Sequence, residues 1–135
     1  MEKQEKVVDA SIIVKWFVNE VNSDKTIRIK EAFLRGEFLL AAPDIIISEV
    51  LNTLRYKQKK EKELIYTNKM LWELNLKLEN ASLEMISKAI ENSIKYNITI
   101  YDSLYVTLAQ LHGTFLITGD KELYKIPNVI PLEKV

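Results

Sequence analysis

The chain has 135 residues, with 19 basic and 19 acidic side chains, one histidine and no cysteine. The lack of cysteine excludes disulfide scaffolds, thiolate zinc sites and cysteine nucleophiles. The formal net charge of zero argues against avid, non-specific binding of nucleic acid, because domains that bind in this way are usually basic. No apolar run approaches the roughly 18 residues that span a bilayer, and the charged N-terminus lacks a secretory pattern. We therefore expect a cytoplasmic protein with no membrane segment.

Short apolar runs alternate along the chain with stretches of helical apolar spacing. The predicted strands are a first one that stops at Asp9 and others over residues 38–42, 76–78, 114–117 and 128–131. The predicted helices cover residues 11–17, 23–35, 45 to about 58, 61–74, 83–96 and 104–111. This alternation implies a parallel sheet with right-handed crossovers. No linker or repeat divides the sequence, so we expect residues 1–135 to form one α/β domain.

Polar side chains at the helix starts are expected to act as caps. Asp9 or Ser11 would cap the first helix, Asp44 the third, and Asp102 or Ser103 the helix over residues 104–111. That last helix is apolar almost all round, which predicts that it is buried. In the helix over residues 83–96, the residues expected to face the core are Ile86, Ala89, Ile90 and Ile94.

Four acidic side chains are expected at one edge of this sheet. Asp9 and Asp120 each follow an apolar strand, and the carboxyl ends of parallel strands form the edge that binds ligands. Asp102 opens the buried helix, where an unpaired charge would be expensive. Glu49 lies inside its helix, where capping does not explain it. The structural alternatives are capping roles for the three aspartates and a solvated surface charge for the glutamate.

The set of acids predicts a site for a divalent cation. Four neighbouring carboxylates repel one another and shift their pKa values upward unless a cation neutralises them. Mg²⁺ and Mn²⁺ favour carboxylate and water ligands, whereas zinc sites usually contain cysteine or histidine. His112 is the one imidazole, and it lies at the far end of the buried helix from Asp102. We interpret His112 as a helix C-terminal residue with no catalytic role.

Four motifs occur in the order typical of one protein family, namely VVDAS at 7–11, PDIIISEVLN at 43–52, YDSLYVTLA at 101–109 and LITGDKEL at 116–123. Together they resemble the PIN domain, and most closely the VapC-like ribonuclease toxins of prokaryotic toxin–antitoxin pairs. The resemblance covers essentially the whole chain without a departure at an acidic position, although residues 57–84 match by helical character only. It implies a three-layer α/β/α, Rossmann-like fold around a mostly parallel sheet. It also implies a Mg²⁺- or Mn²⁺-dependent endoribonuclease that cleaves RNA, forms a homodimer and binds a small antitoxin over its acidic pocket.

The family's functional positions can be carried over residue by residue. Its acidic positions fall on Asp9, Glu49, Asp102 and Asp120. The resemblance implies that the three aspartates are direct or water-mediated metal ligands, and that the glutamate is either a ligand or the group that orients the attacking water. Supporting or water-positioning roles fall on Ser11, Asn52 and Thr118. Such a site would activate a water molecule to hydrolyse an RNA phosphodiester bond.

The densest basic stretch is a candidate contact for RNA phosphates. It consists of Arg55, Lys57, Lys59, Lys60 and Lys62. The stretch lies near the C-terminal end of the helix that carries the glutamate, so it could flank the acidic pocket and bind phosphates. The alternative is a solvated helix end whose cations favour the helix dipole.

Three other functions share parts of this pattern. A nuclease of the same fold could act in ribosomal or transfer RNA processing, but the small size and the lack of extra RNA-binding modules favour the toxin. A phosphoryl-accepting signalling domain also gathers aspartates around Mg²⁺, but it would end a late strand with lysine, whereas this strand ends in Thr118, Gly119 and Asp120. A catalytically inactive interaction module of the same fold would not need all four acids.

Overall fold

The structure is a computed structural model that describes residues 3–57 and 59–135. Within these residues the strands are β1 (Glu5–Val8), β2 (Leu39–Pro43), β3 (Lys77–Glu79), β4 (Leu116–Thr118) and β5 (Val129–Pro131). The helices are α1 (Ala10–Val14), α2 (Ser23–Leu34), α3 (Ile46–Tyr56), α4 (Glu61–Glu73), α5 (Leu83–Tyr96) and α6 (Ile100–Leu111). Two short 3₁₀ helices cover Lys121–Leu123 and Leu132–Lys134. Among the helices described here, none has the length and apolar character needed to cross a membrane.

The strands form one sheet in the order β3-β2-β1-β4-β5. The central strand is β1, in which Val7 pairs with Ala41 of β2 on one side and with Leu116 of β4 on the other. All four pairings are parallel, so every strand ends at the same edge of the sheet. The predicted α/β fold with a parallel sheet is confirmed.

Helices cover both faces of the sheet. The right-handed crossover rule places α1–α4 on one face, because they connect β1 to β2 and β2 to β3, and it places α5 and α6 on the other. The packing agrees, since α1 contacts α3, α3 contacts α4, and α5 packs along α6. Residues 103–109 of α6 are all buried, and this helix contacts β1, β2 and β4. The prediction of a buried helix is therefore confirmed.

The start of α6 differs from the prediction in a way that matters for the site. The helix begins at Ile100, and the capping residue is Thr99, whose Oγ1 accepts a hydrogen bond of 3.0 Å from the backbone N–H of Asp102. The prediction that Asp102 or Ser103 caps this helix is wrong. Because a neighbouring hydroxyl caps the helix, the carboxylate of Asp102 is left available for other contacts.

The predicted cap of α3 is also wrong. Asp44 is exposed, and the N-cap residue is Ile45, which makes no side-chain capping bond. The backbone N–H of Asp44 instead donates to the carbonyl of Glu79 at 2.9 Å, which continues the pairing of β2 with β3 by one residue. Asp44 therefore extends the sheet edge instead of starting the helix. The predicted end of α3 near residue 58 lies outside the described residues.

The first helix is shorter than the predicted range of residues 11–17. After α1 ends, the backbone N–H of Trp16 donates to the carbonyl of Ile13 at 2.9 Å, a three-residue spacing that tightens the chain into a turn. The Trp16 ring is buried, and its Nε1 donates to the carbonyl of Thr26 at 2.8 Å, so it belongs to the core. Phe17 is half-buried, whereas Trp72 on α4 is 58% exposed.

The predicted inward set of α5 is right for Ala89, which is buried, and wrong for the three isoleucines. Ile86, Ile90 and Ile94 are 40%, 46% and 78% exposed. The helix packs on α6 through the neighbouring face, which carries Ala89 and Asn92, and the side-chain amide of Asn92 donates two hydrogen bonds of 2.8 Å to side-chain oxygens of α6. A buried amide needs these partners, so the polar pairing fixes the rotation of α5 and leaves its isoleucines at the surface.

Candidate functional site

The four predicted acids lie around the topological switch point of the sheet, where the strand order reverses. From β1 the chain adds β2 and β3 on one side, and it then crosses over to add β4 and β5 on the other. Asp9 directly follows β1, and Asp120 follows β4, the strand next to it. In open α/β sheets, ligands bind outside the carboxyl ends of the strands at such a switch point.

Asp9 is held in place by three hydrogen bonds. As the N-cap of α1, its carboxylate accepts a bond of 3.1 Å from the backbone N–H of Ser11. The hydroxyl of Ser11 donates to the same oxygen, and the hydroxyl of Thr118 donates to the other. The side chain is only 7% exposed. The capping interpretation of Asp9 is confirmed, but a cap alone does not explain a carboxylate that is buried and that accepts hydrogen bonds from both the start of α1 and the end of β4.

The end of β4 is tied to the start of α1 by the same hydroxyl groups. The Ser11 hydroxyl accepts a bond of 2.9 Å from the backbone N–H of Gly119, and the Thr118 hydroxyl accepts one of 3.0 Å from the backbone N–H of Asp120. The Asp120 carboxylate caps the next 3₁₀ helix by accepting from the backbone N–H of Glu122 at 3.0 Å. Ser11 and Thr118 thus fix the two aspartates relative to each other.

Glu49 comes from α3, on the opposite face of the sheet from α6 and Asp102. It lies in the first turn of α3, closer to the helix start than the sequence suggested, and it accepts a hydrogen bond from the hydroxyl of Tyr105. Tyr105 is buried in α6 one turn beyond Asp102. Sequence analysis did not select Tyr105, although the spacing of three residues from Asp102 places both on one helix face.

The environment raises the pKa of Asp9 from 3.8 to about 6. Burial is the largest cause, and the negative charges of Asp102 and Asp120 act in the same direction. The hydrogen bonds from Ser11 and Thr118 favour the ionised form and oppose the rise in pKa. Asp9 therefore combines a high cost of ionisation with donors placed to support the ionised state.

The pKa of Asp102 is also raised, and its causes reveal a fifth carboxylate. After burial, the causes are the charges of Asp120 and Glu49, and then that of Glu122. These mutual effects show that the predicted acids lie within electrostatic reach of one another. Glu122 was missed by sequence analysis, because an exposed glutamate in a short surface helix gives no signal of its own.

The donor set suits a hard cation in chemical type. Within residues 3–57 and 59–135, none of the four acids forms an ion pair with a lysine, an arginine or the histidine. In that same part of the chain, no group of three or more acidic or histidine side chains is close enough together to hold a metal ion without other ligands. Mg²⁺ commonly uses one or two carboxylates and completes its shell with water and substrate phosphates, so the oxygen donors present are compatible with it.

His112 lies away from these acids. Its Nδ1 atom lies 2.6 Å from a carboxylate oxygen of Glu5, and its Nε2 atom lies 2.7 Å from a carboxylate oxygen of Glu79. It caps the C-terminal end of α6, about 15 Å along the helix from Asp102 at the usual rise per residue. The interpretation of His112 as a helix C-terminal residue is confirmed.

Asn52 lies at the rim of the site. It is exposed, and it shares a shallow groove with Glu49 and Tyr101. Because it follows Glu49 by three residues on α3, both side chains lie on one helix face. The groove offers the Asn52 amide to a ligand that approaches Glu49 from solvent.

The basic stretch from the end of α3 to the start of α4 is partly neutralised by acidic partners. Lys57 forms an ion pair with Glu20, and Lys59 lies 3.8 Å from Glu63. The remaining basic side chains of the stretch are exposed and form no ion pair within the described residues, namely Arg55, Lys60 and Lys62. These three are the better candidates for contacts with phosphate.

The raised pKa of Asp9 predicts a specific pH dependence of stability. A carboxyl whose pKa is higher in the folded state stabilises the fold fully below pH 3.8, and this contribution is lost as the pH rises through about 6. Without metal, Asp9 should therefore lower the free energy of unfolding by about 2 kcal/mol between about pH 4.5 and about pH 7.5. The measurement is denaturant unfolding in EDTA of the wild type and Asp9→Asn at several pH values.

The difference between the two proteins isolates Asp9, because other groups titrate in both. The free energy of unfolding of Asp9→Asn should rise relative to that of the wild type over this pH range. Glu91→Gln, at an exposed position of α5, is the control and should follow the wild type. Parallel curves for the wild type and Asp9→Asn would contradict the prediction.

Comparisons with known proteins agree with this fold. The PIN domain profile matches residues 6–129. Ribonuclease VapC3 of Pyrobaculum aerophilum is 29% identical over 126 residues, which cover 92% of this chain and 96% of that protein. VapC20 of Mycobacterium tuberculosis, a toxin that cleaves the sarcin–ricin loop, is 11% identical and superposes with a TM-score of 0.73 over 96% of this chain and 98% of its own.

A further structural match comes from a toxin–antitoxin complex of Klebsiella pneumoniae. One of its chains is 18% identical and superposes with a TM-score of 0.66 over 96% of this chain and 99% of its own. At such low identity, the two structural matches establish a shared fold. The sequence profile covers nearly the whole chain, including every strand end that carries a candidate acid, and on this basis the chain belongs to the PIN-domain family.

Proposed function

We propose that this chain is a metal-dependent endoribonuclease and the toxin of a toxin–antitoxin pair. The observation that carries the proposal is the buried carboxylate of Asp9 at the switch point of the sheet. The charges of Asp102 and Asp120 help to raise its pKa. A buried charge without a cationic partner is costly, so a site of this kind makes physical sense when a cation and a phosphate are bound. The resemblance to a ribonuclease of the same family supports RNA as the substrate.

Asp9, Asp102 and Asp120 would hold Mg²⁺ or Mn²⁺ directly or through water. When bound, the ion would supply an activated water and neutralise charge on the phosphoryl oxygens. Glu49 is either a further ligand or the group that orients the attacking water. The Tyr105 hydroxyl favours the second role, because its hydrogen bond fixes one carboxylate oxygen of Glu49 and leaves the other for water.

Ser11, Thr118 and Asn52 would prepare the site without touching the reacting atoms. The hydroxyls of Ser11 and Thr118 donate to the two oxygens of Asp9, so they orient the carboxylate and favour its ionised form. Asn52 lies beside Glu49 and would position water or a substrate oxygen at the rim.

The proposed partners are a small antitoxin and a second copy of the chain, acting in the cytoplasm. The support for the antitoxin is the matched chain in a toxin–antitoxin complex. The exposed isoleucines of α5 and Trp72 of α4 provide apolar surface that such partners could cover.

The first experiment tests metal-dependent cleavage. Purified protein is incubated with total cellular RNA in Mg²⁺, Mn²⁺ or EDTA, and the product ends are sequenced. Asp9→Asn should lower the cleavage rate more than about 100-fold, because it removes the buried anionic ligand. Discrete products that require both the metal and Asp9 would support the toxin nuclease.

Glu91→Gln serves as the matched control for the loss of a carboxylate. It should cleave RNA at the wild-type rate, since Glu91 is an exposed residue of α5. Wild-type activity in Asp9→Asn would contradict the proposed site. Absence of both cleavage and metal binding, measured by calorimetry, would leave an inactive interaction module of the PIN fold.

The role of Thr118 can be tested with two substitutions of similar size. Thr118→Val removes the hydroxyl that donates to Asp9 and accepts from the Asp120 backbone, so Mn²⁺ affinity and cleavage should fall about 10- to 100-fold. Thr118→Ser keeps the hydroxyl and should retain most of both. Equal behaviour of the two variants in calorimetry and cleavage would show that the hydroxyl does not act through the aspartates.

The basic residues without ion pairs predict a change in the salt dependence of RNA binding. Replacement of Arg55, Lys60 and Lys62 by glutamine should weaken binding of single-stranded RNA and reduce the slope of log K against log salt by about 2. Binding is measured in EDTA with Asp9→Asn as the background, so that cleavage does not interfere.

A triple variant elsewhere controls for the change in net charge. It replaces Arg28, Lys88 and Lys95, which are exposed on α2 and α5, with glutamine. Its salt slope should match that of the parent protein. If the two triple variants have the same slope, the basic stretch does not contact phosphate.

A further inference from the structure

A cavity of about 330 Å³ lies next to the acidic site. Its walls come from the end of α1, the start of α2 and the segment that follows β4. The residues that carry the argument below are Lys15, Asn22, Gly119, Lys121 and Tyr124. The volume lies at the lower end of the range for small-ligand pockets, which is suitable for one nucleotide.

Gly119 connects this cavity to the acids. It stands between Thr118, which bonds to Asp9, and Asp120. A Cβ atom placed on Gly119 would lie 3.8 Å from Cε of Lys15, so the lysine stem passes within contact distance of the strand end. A ligand in the cavity would therefore lie beside the phosphate that the acids engage.

Cations are the dominant charges of the cavity wall. Lys15 and Lys121 line it together with one acid, Glu133. Lys15 shares Glu20 with Lys57 and lies 3.4 Å from it, a long contact. Lys121 is exposed and forms no ion pair within residues 3–57 and 59–135. Neither lysine forms an ion pair with the four acids of the site, so both are well placed to bind a phosphate.

The other walls offer a ring and an amide. Tyr124 is half-buried and lines the cavity beside Gly119 and Lys121. Asn22 is the N-cap of α2, but its side chain makes no capping hydrogen bond. Its backbone is in the left-handed region with φ of 67°. The amide of Asn22 is thus available to a polar ligand at the positive end of a helix.

We propose that this cavity binds the RNA nucleotide next to the scissile phosphate, with Lys15 and Lys121 on its phosphate and Tyr124 against its base. Aromatic stacking together with phosphate contacts is the usual way in which proteins hold single-stranded nucleic acid. The inference rests on the proposed ribonuclease function, but it assigns a separate set of residues to substrate binding.

The glycine amides provide a direct probe of this cavity. The chain has three glycines, Gly36, Gly113 and Gly119, so their backbone signals can be assigned in a spectrum of ¹⁵N-glycine-labelled protein. The protein is titrated in EDTA with the four 5′-ribonucleoside monophosphates, inorganic phosphate and uridine. We expect the Gly119 signal to move saturably with at least one nucleotide, while those of Gly36 and Gly113 stay in place.

Variants show whether the shift reports the cavity. The double substitution Lys15→Gln with Lys121→Gln should weaken nucleotide binding at least about tenfold, and Lys121→Gln alone several-fold. The matched control is Lys88→Gln with Lys125→Gln, both exposed and outside the cavity wall, and it should bind as the wild type does.

Each contrary result overturns a defined part of the inference. No movement of Gly119 with any nucleotide, or equal affinity in the two double variants, would overturn the site. Inorganic phosphate binding as tightly as the nucleotides would overturn the contact with the base. Because this binding requires neither metal nor cleavage, its failure is distinct from a failure of the RNA cleavage assay.

Discussion

The site depends on one long-range hydrogen bond, from the Thr118 hydroxyl to the Asp9 carboxylate. The two residues are 109 positions apart in the sequence, yet they end neighbouring strands at the switch point of the sheet. The Ser11 hydroxyl adds a second link, since it donates to Asp9 and accepts from the backbone of Gly119. These bonds fix the geometry of the two strand ends and therefore the relative positions of Asp9 and Asp120.

The helix caps determine which carboxylates remain available. Asp9 and Asp120 both accept from backbone N–H groups, which holds them in place but uses one of their oxygens. Asp102 does not act as a helix cap, because the Thr99 hydroxyl caps α6. Glu49 is instead fixed by the hydroxyl of a buried tyrosine. The four acids are thus positioned by different means, and this combination gives both rigid and adaptable oxygen donors.

The sequence predicted the parallel sheet, the buried α6 and the positions of Asp9 and Asp120 at the ends of strands, because strand ends and apolar periodicity are local signals. It could not predict contacts between distant segments. Asp44 failed as a cap because its amide is engaged by Glu79 in another strand. The exposure of the α5 isoleucines depends on the polar pairing of Asn92 with α6. Glu122 and Lys15 went unnoticed for a different reason, since a single charged side chain in or beside a short helix gives no signal of its own.

A net charge of zero is compatible with RNA binding when the charges are separated in space. The acids gather where a cation is needed, and Lys15 and Lys121 lie on the adjoining wall, beyond Gly119. A cation on the acids would remove their repulsion of the scissile phosphate, whereas the lysines would attract the neighbouring phosphate over a short range even without the cation. A protein without net positive charge would gain little affinity from non-specific attraction to RNA. Its affinity would depend instead on the contacts that RNA makes within the site. Under the proposed ribonuclease function, selection among RNA molecules would follow from the shape and local charge of this edge of the sheet.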